Sequence, residues 1–170
     1  MERQDVVMKT IRERRSIRRF KDKPVDDECV KKIIEMGTWA PSGMNNQPWK
    51  FVIIKDKELK DRVAQQTRFS RIIKEAPVCI AVFLDKDQSY NRVKDIQAIG
   101  ACIQNMLLTI HAMGLGGVWL GEILNKREEV ERILKVPPNL ELMAVIAFGY
   151  PAESGGEGSR KPLSEVILNC

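Results

Sequence analysis

The sequence predicts an α+β fold in which helices pack on a small sheet. Helix-like and strand-like patterns intermix along the chain, and the strand-like runs are few and unevenly spaced. A regular series of strand–helix units would instead predict a long parallel sheet. With 170 residues, of which 44% are hydrophobic and 30% charged, the chain has the size and composition of one globular domain, and we expect a single domain over 1–170.

Two helices are predicted near the beginning of the chain. Apolar residues recur at helical spacing over 6–11, and Pro24 closes the basic stretch that follows. Asp26 or Asp27 is positioned to cap a second helix. The apolar side of that helix carries Val30, Ile33, Ile34 and Gly37.

Further helices and strands are predicted after this point. Residues 40–49, APSGMNNQPW, are rich in turn formers and predict a loop that holds a specific shape. Short apolar runs predict strands at 49–55, 78–84, within 114–123 and at 142–150. Helices are predicted at about 56–67, 94–113 and 125–134. Because 94–113 is apolar on several sides, we expect that helix to lie at the centre of the fold.

Cysteine and histidine usage limits the metal and redox chemistry. The chain has four cysteines without a CxxC pair and one histidine, His111, so we expect no zinc site. Cys79 and Cys102 fall in apolar runs and are predicted core residues. The first nine residues, MERQDVVMK, lack the apolar core of a secretory signal, from which we expect a cytoplasmic protein. No stretch is apolar enough to predict a membrane span.

The net charge of +5 is concentrated in one short stretch. Residues 12–23 hold seven basic and two acidic residues, and the remainder of the chain is balanced. Such a cluster suits a nucleic-acid surface, a site for one compact anion, or a solvated face. Phe20 is the single aromatic residue in the stretch and no recognition motif accompanies it, which argues against nucleic acid. The grouping of Arg14, Arg15, Ser16 and Arg18 suits one phosphate, because guanidinium groups and a hydroxyl can converge on it.

Other common chemistries lack their motifs. The glycines at 114, 116 and 117 are followed by Trp119 where a dinucleotide fingerprint requires glycine, and they follow a predicted helix instead of a strand. Neither a Walker A loop nor a GxSxG motif occurs. His111 lies in an apolar helix and is expected to be a packed or surface imidazole rather than a catalytic base.

Four segments occur in an order and at a spacing that resemble a known family. They are RRSIRRFKDKPV at 14–25, APSGMNNQPWKFVII at 40–54, GLGGVWLGEI at 114–123, and FGYPAE with SRKPL at 148–163. From about residue 9 to the C-terminus the chain resembles the FMN-dependent nitroreductase family. The resemblance implies a three-layer α/β/α sandwich with a small, mostly antiparallel sheet. It also implies an interlocked homodimer that binds FMN.

The resemblance further implies which residues contact FMN. Arg14, Arg15 and Ser16 match the positions that hold the phosphate and ribityl chain. Arg18 matches a position at the pyrimidine edge of the ring, where a positive charge favours reduction. Arg160 and Lys161 match a late basic pair at the phosphate. The loop positions expected to reach the FMN of the partner subunit are Pro41, Ser42, Asn45 and Gln47.

A second segment is expected at the opposite edge of the ring. Trp119, Leu120, Gly121 and Glu122 match it, and one of their backbone N–H groups is expected to face the flavin N5 atom. Gly121 would allow close approach of the chain. Arg68 and Arg71 match the family poorly, and they are assigned no role.

The resemblance implies an oxidoreductase in which NADPH or NADH reduces FMN and a small acceptor, such as a nitroaromatic or a quinone, is reduced in turn. No catalytic side chain is expected, because the flavin performs the redox step. The chain is short for the family, which favours an open pocket. The alternative is a flavin-binding or redox-sensing protein without efficient turnover, and a basic nucleic-acid-binding domain is a third hypothesis. No nucleic acid and no membrane are expected as partners.

Overall fold

The computed structural model describes residues 3–168 and contains a four-stranded sheet between two layers of helices. The strands are β1 (Trp49–Ile54), β2 (Val78–Asp85), β3 (Gly116–Leu120) and β4 (Leu140–Gly149). Their spatial order is β1-β2-β4-β3, and each neighbouring pair is antiparallel. The predicted α+β class and the predicted three-layer sandwich with a small antiparallel sheet are confirmed.

Helices occupy most of the remaining described chain. They are α1 (Arg3–Glu13), α2 (Asp27–Thr38), α3 (Lys57–Ala64), α4 (Ser70–Glu75), α5 (Arg92–Ala112), α6 (Arg127–Leu134) and α7 (Leu163–Val166). Two short 3₁₀ turns lie at Gly43–Asn45 and Glu122–Lys126. Asp26 caps α2 by accepting a hydrogen bond from the Glu28 backbone N–H at 2.7 Å, as predicted. Among residues 3–168, no helix has both the length and the apolarity that crossing a bilayer requires.

The sheet separates two hydrophobic cores. On one face, α2 and α5 pack against side chains such as Ile80 and Ile146. On the other face, α3, α4 and α6 pack against side chains such as Phe83 and Val145. Every residue of β2 is buried, which explains why its sequence is a continuous apolar run rather than an alternating pattern.

The two predicted core cysteines lie in different cores. Cys79 on β2 belongs to the α3–α4–α6 side, and Cys102 on α5 belongs to the α2–α5 side. Both are completely buried, which confirms the prediction. Burial raises the pKa of each thiol to about 12.

Two helices were not predicted, and the predicted helix α1 has exposed apolar side chains. α4 and α7 have six and four residues, which is too short for a helical repeat to be visible in the sequence. α1 ends at Glu13, so most of the basic stretch lies outside it. The apolar residues that indicated the helical spacing of α1 are exposed: Val6, Val7 and Ile11.

Candidate functional site

Residues 14–18, the arginine segment, run along the open edge of β3. Ser16 forms a parallel bridge with Gly117, and the Ile17 backbone N–H donates to the Gly117 carbonyl at 3.1 Å. Gly116 permits this approach, since a Cβ there would lie 2.7 Å from the Ile17 Cβ. The arginine segment is therefore fixed to the sheet, and because the bridge is parallel it runs in the same direction as β3.

Residues 151–160, the glycine-rich tail, fold back over the arginine segment. The Arg18 backbone N–H donates to the Glu153 carboxylate at 2.7 Å. Gly155 packs so tightly that a Cβ there would lie 2.2 Å from the Arg15 Cβ. Only a residue without a side chain fits at this contact, and the contact brings the end of the tail to the arginine segment.

A groove of ≈ 370 Å³ lies between the arginine segment and the tail. Four of its lining residues are arginines and one is a glutamate. The pKa of Arg14 is lowered, first by its partial burial and then by the nearby positive charges of Arg160 and Arg15. Such a concentration of cations suits an anion with several acceptor oxygens. The full lining is Arg14, Arg15, Ser16, Arg18, Gly156, Glu157 and Arg160.

Arg15 and Arg14 contribute differently to the groove. The Arg15 Nε donates to the Gly156 carbonyl at 3.0 Å, and one Nη donates to the carbonyls of Arg14, at 2.9 Å, and Arg12. Three of its five N–H donors are therefore occupied by backbone. Among residues 3–168, the Arg14 side chain has no hydrogen bond or ion pair of its own. Arg15 anchors the tail, whereas Arg14 keeps its donors available for a ligand.

At the end of β3, some side chains lie in the core and others lie at the surface. Leu120 is buried, whereas Trp119 is 42% exposed and Gly121 is exposed. Trp119 and Gly121 line a separate cavity of ≈ 460 Å³, together with residues of α5 such as Ile96 and Gly100. Of the residues predicted at the edge of the flavin ring, Leu120 has its side chain in the core, so its backbone alone could face a ligand.

Glu122 connects the end of β3 to the turn before α4. Its carboxylate accepts a hydrogen bond from the Thr67 hydroxyl and lies 3.9 Å from the Arg68 Nε. The Thr67 hydrogen bond is the main cause of the lowered pKa of Glu122, and Arg68 adds to it. Arg71, in contrast, pairs with Glu75 on its own helix at 2.6 Å.

The loop at 41–47 has a defined shape but lines no part of the groove in its own chain. Met44, Asn45 and Gln47 have φ values of 56°, 54° and 47°, in the left-handed region that most side chains avoid. The Gln47 backbone N–H donates to the Ser42 hydroxyl at 3.1 Å. Pro41, Asn45 and Gln47 are exposed and Ser42 is half-buried.

The described part of the chain contains no candidate metal centre. Within residues 3–168, no group of three or more His, Cys, Asp or Glu side chains is arranged to hold a metal ion. His111 is half-buried and lines a neighbouring cavity of ≈ 490 Å³ that also reaches Glu13 and Arg14. His111 does not line the groove that contains Arg160.

The segments that build this arrangement match a known family. The model of the nitroreductase family matches residues 11–70 and 64–150. The chain belongs to the nitroreductase family. Its relatives include a protein of Methanothermobacter thermautotrophicus named NADH dehydrogenase/NAD(P)H nitroreductase. That nitroreductase relative is 32% identical over 152 residues, which are 88% of this chain and 80% of the relative.

Solved structures of nitroreductase-family proteins have the same fold. A nitroreductase from Desulfovibrio desulfuricans, crystallised in complex with FMN, superposes with a TM-score of 0.93 and 50% identity over 96% of this chain and 95% of that chain. The NADPH:FMN oxidoreductase of Vibrio harveyi, complexed with NAD⁺, superposes with a TM-score of 0.87 and 25% identity over 95% of this chain and 76% of that chain. The predicted family and fold are confirmed.

Some of the residues predicted for the nitroreductase site converge within one chain and others do not. Lys161 is exposed and does not line the groove, nor do residues 41–47 and 119–122. Thr67 and Arg68 contact Glu122 although sequence reasoning assigned them no role; their polar side chains in the turn between α3 and α4 were the available signal. The predicted residues that the groove brings together are Arg14, Arg15, Ser16, Arg18 and Arg160.

Proposed function

We propose that this nitroreductase-family chain is an FMN-dependent NAD(P)H oxidoreductase, formed as one domain, with FMN bound between two copies. The observation that carries the proposal is the groove in which Arg14, Ser16 and Arg160 converge. NADPH or NADH is the electron donor, and a small molecule such as a nitroaromatic or a quinone is the acceptor. The names of the relatives, which include an NADPH-flavin oxidoreductase and an FMN reductase, support this activity.

The donor set of the groove fits the phosphate of FMN. A phosphate monoester carries up to two negative charges and several acceptor oxygens, and arginine binds such groups through paired N–H donors. Arg14 has free donors, and its pKa is lowered by partial burial and then by the charges of Arg160 and Arg15, so a bound anion would relieve the repulsion between these arginines. Arg14, Ser16 and Arg160 are therefore the phosphate ligands, and Arg15 holds the tail that carries Arg160.

The other end of the arginine segment suits the flavin ring. The chain runs from Ser16 to Arg18 in the same direction in which β3 runs towards Gly121 and Glu122. Arg18 is exposed and brings a cation to that end, and Gly121 allows the backbone to approach a planar ring. When bound, FMN supplies two-electron hydride chemistry, which the nicotinamide donor and the acceptor use in turn.

The partner subunit completes the site through its 41–47 loop. Pro41, Ser42, Asn45 and Gln47 of one chain contact the FMN held by the arginine segment of the other. Two observations support this arrangement: these residues are absent from the groove of their own chain, and large apolar side chains near them are exposed. Trp39 is 76% exposed and Met44 is 86% exposed, as expected of residues that a second copy covers.

Flavin loading followed by anaerobic reduction tests the proposal. The purified protein is incubated with excess FMN and desalted, its visible spectrum is recorded, and NADPH or NADH is then added without oxygen. We expect a retained flavin band that bleaches with at least one nucleotide. A retained band that bleaches with neither would indicate a flavin-binding or redox-sensing protein instead. A protein that retains no flavin would contradict the assigned site.

A further inference from the structure

A completely buried carboxylate, that of Asp95, lies in the first turn of α5. It accepts four hydrogen bonds: from the Ser89 hydroxyl at 2.6 Å, from the Asn46 side-chain Nδ2 at 2.8 Å, and from the backbone N–H groups of Tyr90 and Asn91 at 3.1 Å each. Burial opposes ionisation, but these hydrogen bonds more than offset it, and the pKa of Asp95 is lowered. Asp95 is therefore a charged group whose acceptor capacity is used inside the protein.

Asn46 links this carboxylate to the 41–47 loop. The same Nδ2 also donates to the Gln88 carbonyl at 3.0 Å, so its two N–H groups are held by Asp95 in α5 and by the turn that precedes α5. Asn46 lies between Asn45 and Gln47, and both of these neighbours have left-handed backbone conformations. A backbone of this kind persists only where surrounding contacts fix it. The Asn46 side chain is such a contact.

Tyr90 provides a second connection from Asp95 to the loop. Its backbone N–H donates to Asp95, and its side chain covers Gly43 so closely that a Cβ on Gly43 would lie 2.0 Å from the phenol oxygen. The carboxylate thus fixes the Tyr90 backbone beneath a ring that packs on the loop. Two different routes lead from one buried charge to the same loop.

We propose that Asp95 is a positioning residue for the FMN site of the partner subunit, acting through Asn46 to hold Asn45 and Gln47 in their binding conformation. The inference rests on the proposed function, because it requires the 41–47 loop to contact FMN. It assigns a role in binding to two residues, Asp95 and Asn46, that are not among the proposed FMN contacts.

Asp85 offers a matched control for the same chemical change. It is also a buried carboxylate, at 5% exposure, and it accepts hydrogen bonds from the Asn139 side chain and the Asp87 backbone N–H, at 3.1 Å each. Its side chain forms an ion pair with Lys50 at 3.7 Å and has no hydrogen bond to the 41–47 loop. Asp85→Asn therefore tests whether loss of any buried carboxylate affects FMN binding.

The experiment compares the FMN dissociation constants of the wild-type protein, D95N, N46A, the double variant D95N/N46A and D85N. The constants are measured by quenching of flavin fluorescence, at a temperature where circular dichroism shows every apoprotein folded. We expect D95N and N46A each to weaken FMN binding about 10-fold. The dissociation constant of the double variant should be no larger than the larger of the two single-variant constants, because both substitutions break the same connection. D85N is expected to bind FMN within about twofold of wild type, even where its melting temperature falls.

The outcomes separate this inference from the proposed function. Wild-type protein that fails to bind FMN would overturn both. Wild-type protein that binds FMN, with equal affinity in N46A, would overturn the positioning role alone, and this result remains decisive even if D95N does not fold. Equal weakening in D85N and D95N would also overturn it, because the effect would then follow from general destabilisation.

Discussion

The arginine segment and the 41–47 loop contribute to the same proposed site by different physical means. The arginine segment is extended, lies on the edge of β3 and carries a high density of positive charge. The 41–47 loop contains no charged residue, and its backbone adopts three left-handed conformations that distant contacts maintain. In the proposed site, the arginine segment would bind FMN through charge and the 41–47 loop through the shape of its backbone.

This difference determines how each region responds to substitution. Removing the Arg14 side chain, which has no structural hydrogen bond among the described residues, should eliminate a ligand contact of the proposed site, so the loss should appear in binding and leave the fold intact. The loop depends on a carboxylate in α5, so its function can be altered from a position outside it. FMN binding by the arginine segment should therefore be sensitive to substitution of the residues that line the groove. Binding by the 41–47 loop should also be sensitive to substitution of buried residues that support the loop, such as Asp95.

The largest effect is expected from Arg14→Ala combined with Ser16→Ala. Hydrogen bonds to charged groups contribute about 1.5–3 kcal/mol each, so losing two should weaken FMN binding by about 100-fold or more. The measurement is the FMN dissociation constant from fluorescence quenching. Arg62→Ala on α3 removes one positive charge outside the groove and is the control.

The salt dependence of the same titration sharpens this prediction. Because the groove binds through charge, wild-type affinity should fall as ionic strength rises, and inorganic phosphate should compete with FMN. The double variant should show a shallower salt dependence than R62A. Normal flavin content in the R14A/S16A protein would contradict the assignment of the phosphate ligands.

A smaller effect is expected from Gly155→Ala in the glycine-rich tail. The new methyl group would lie 2.2 Å from the Arg15 Cβ, an atom next to the backbone that cannot rotate away. Overpacking of this kind costs about 1–3 kcal/mol, and displacement of the tail should weaken FMN binding about 10-fold. Ser154→Ala is the control, because Ser154 is an exposed residue of the same tail that does not line the groove. Equal affinity in both variants would mean that the tail does not position Arg160.

The fold was largely predictable because its elements are long or strongly patterned. The continuous apolar run of β2 and the 21-residue α5 each correspond to a predicted element within two residues at either end. α4 and α7 were missed because six and four residues contain less than two helical turns. The left-handed residues of the 41–47 loop carry no glycine, so sequence indicated a turn there without indicating its conformation.

The site was predictable to the extent that neighbouring residues form it. Arg14, Arg15 and Ser16 are adjacent in the chain, so their phosphate-binding groups could be recognised from the sequence. The hydrogen bond from the Arg15 Nε to the Gly156 carbonyl, in contrast, joins residues 141 positions apart. The Asp95 hydrogen bond to Asn46 likewise joins residues 49 positions apart. Contacts of this separation exist only in the folded chain, and no local pattern encodes them.

The pH dependence of stability tests the shaped region without FMN. The folded-state pKa of Asp95 lies below its ordinary value of 3.8, so the unfolded state binds the proton more readily. The carboxylate therefore stabilises the fold fully above that ordinary value, and the stabilisation is lost as pH falls through the folded-state pKa. We expect wild type to exceed D95N by about 1 kcal/mol in free energy of unfolding at neutral pH.

That difference should shrink in acid, and urea unfolding followed by circular dichroism at several pH values measures it. Asp22→Asn, at an exposed position, controls for the change in overall charge. A gap between wild type and D95N that persists unchanged well below the ordinary carboxyl pKa would show that Asp95 stabilises the fold through packing and not through its charge.

The smallest effect is expected for alkylation of the two buried thiols, which should not react in the folded protein. At about pH 8 a thiol with a pKa of about 12 is ionised to roughly one part in 10⁴, so Cys79 and Cys102 should resist alkylation in the folded protein. They lie in the two separate cores, so together they report on both faces of the sheet. Half-buried Cys29 is the internal comparison, and Cys170→Ser removes the thiol outside the described residues.

If the arginine segment binds FMN through charge and the 41–47 loop through its conformation, the R14A/S16A, G155A and D95N variants should lose FMN affinity. Both buried thiols should stay unreactive in these variants when labelling is followed by mass spectrometry. Labelling of Cys102 alone in D95N would mean that the loss spreads from the 41–47 loop through α5 into one core. That result would make Asp95 a stabilising residue of the α2–α5 layer, and it would remove the distinction between the shaped region and the scaffold behind it.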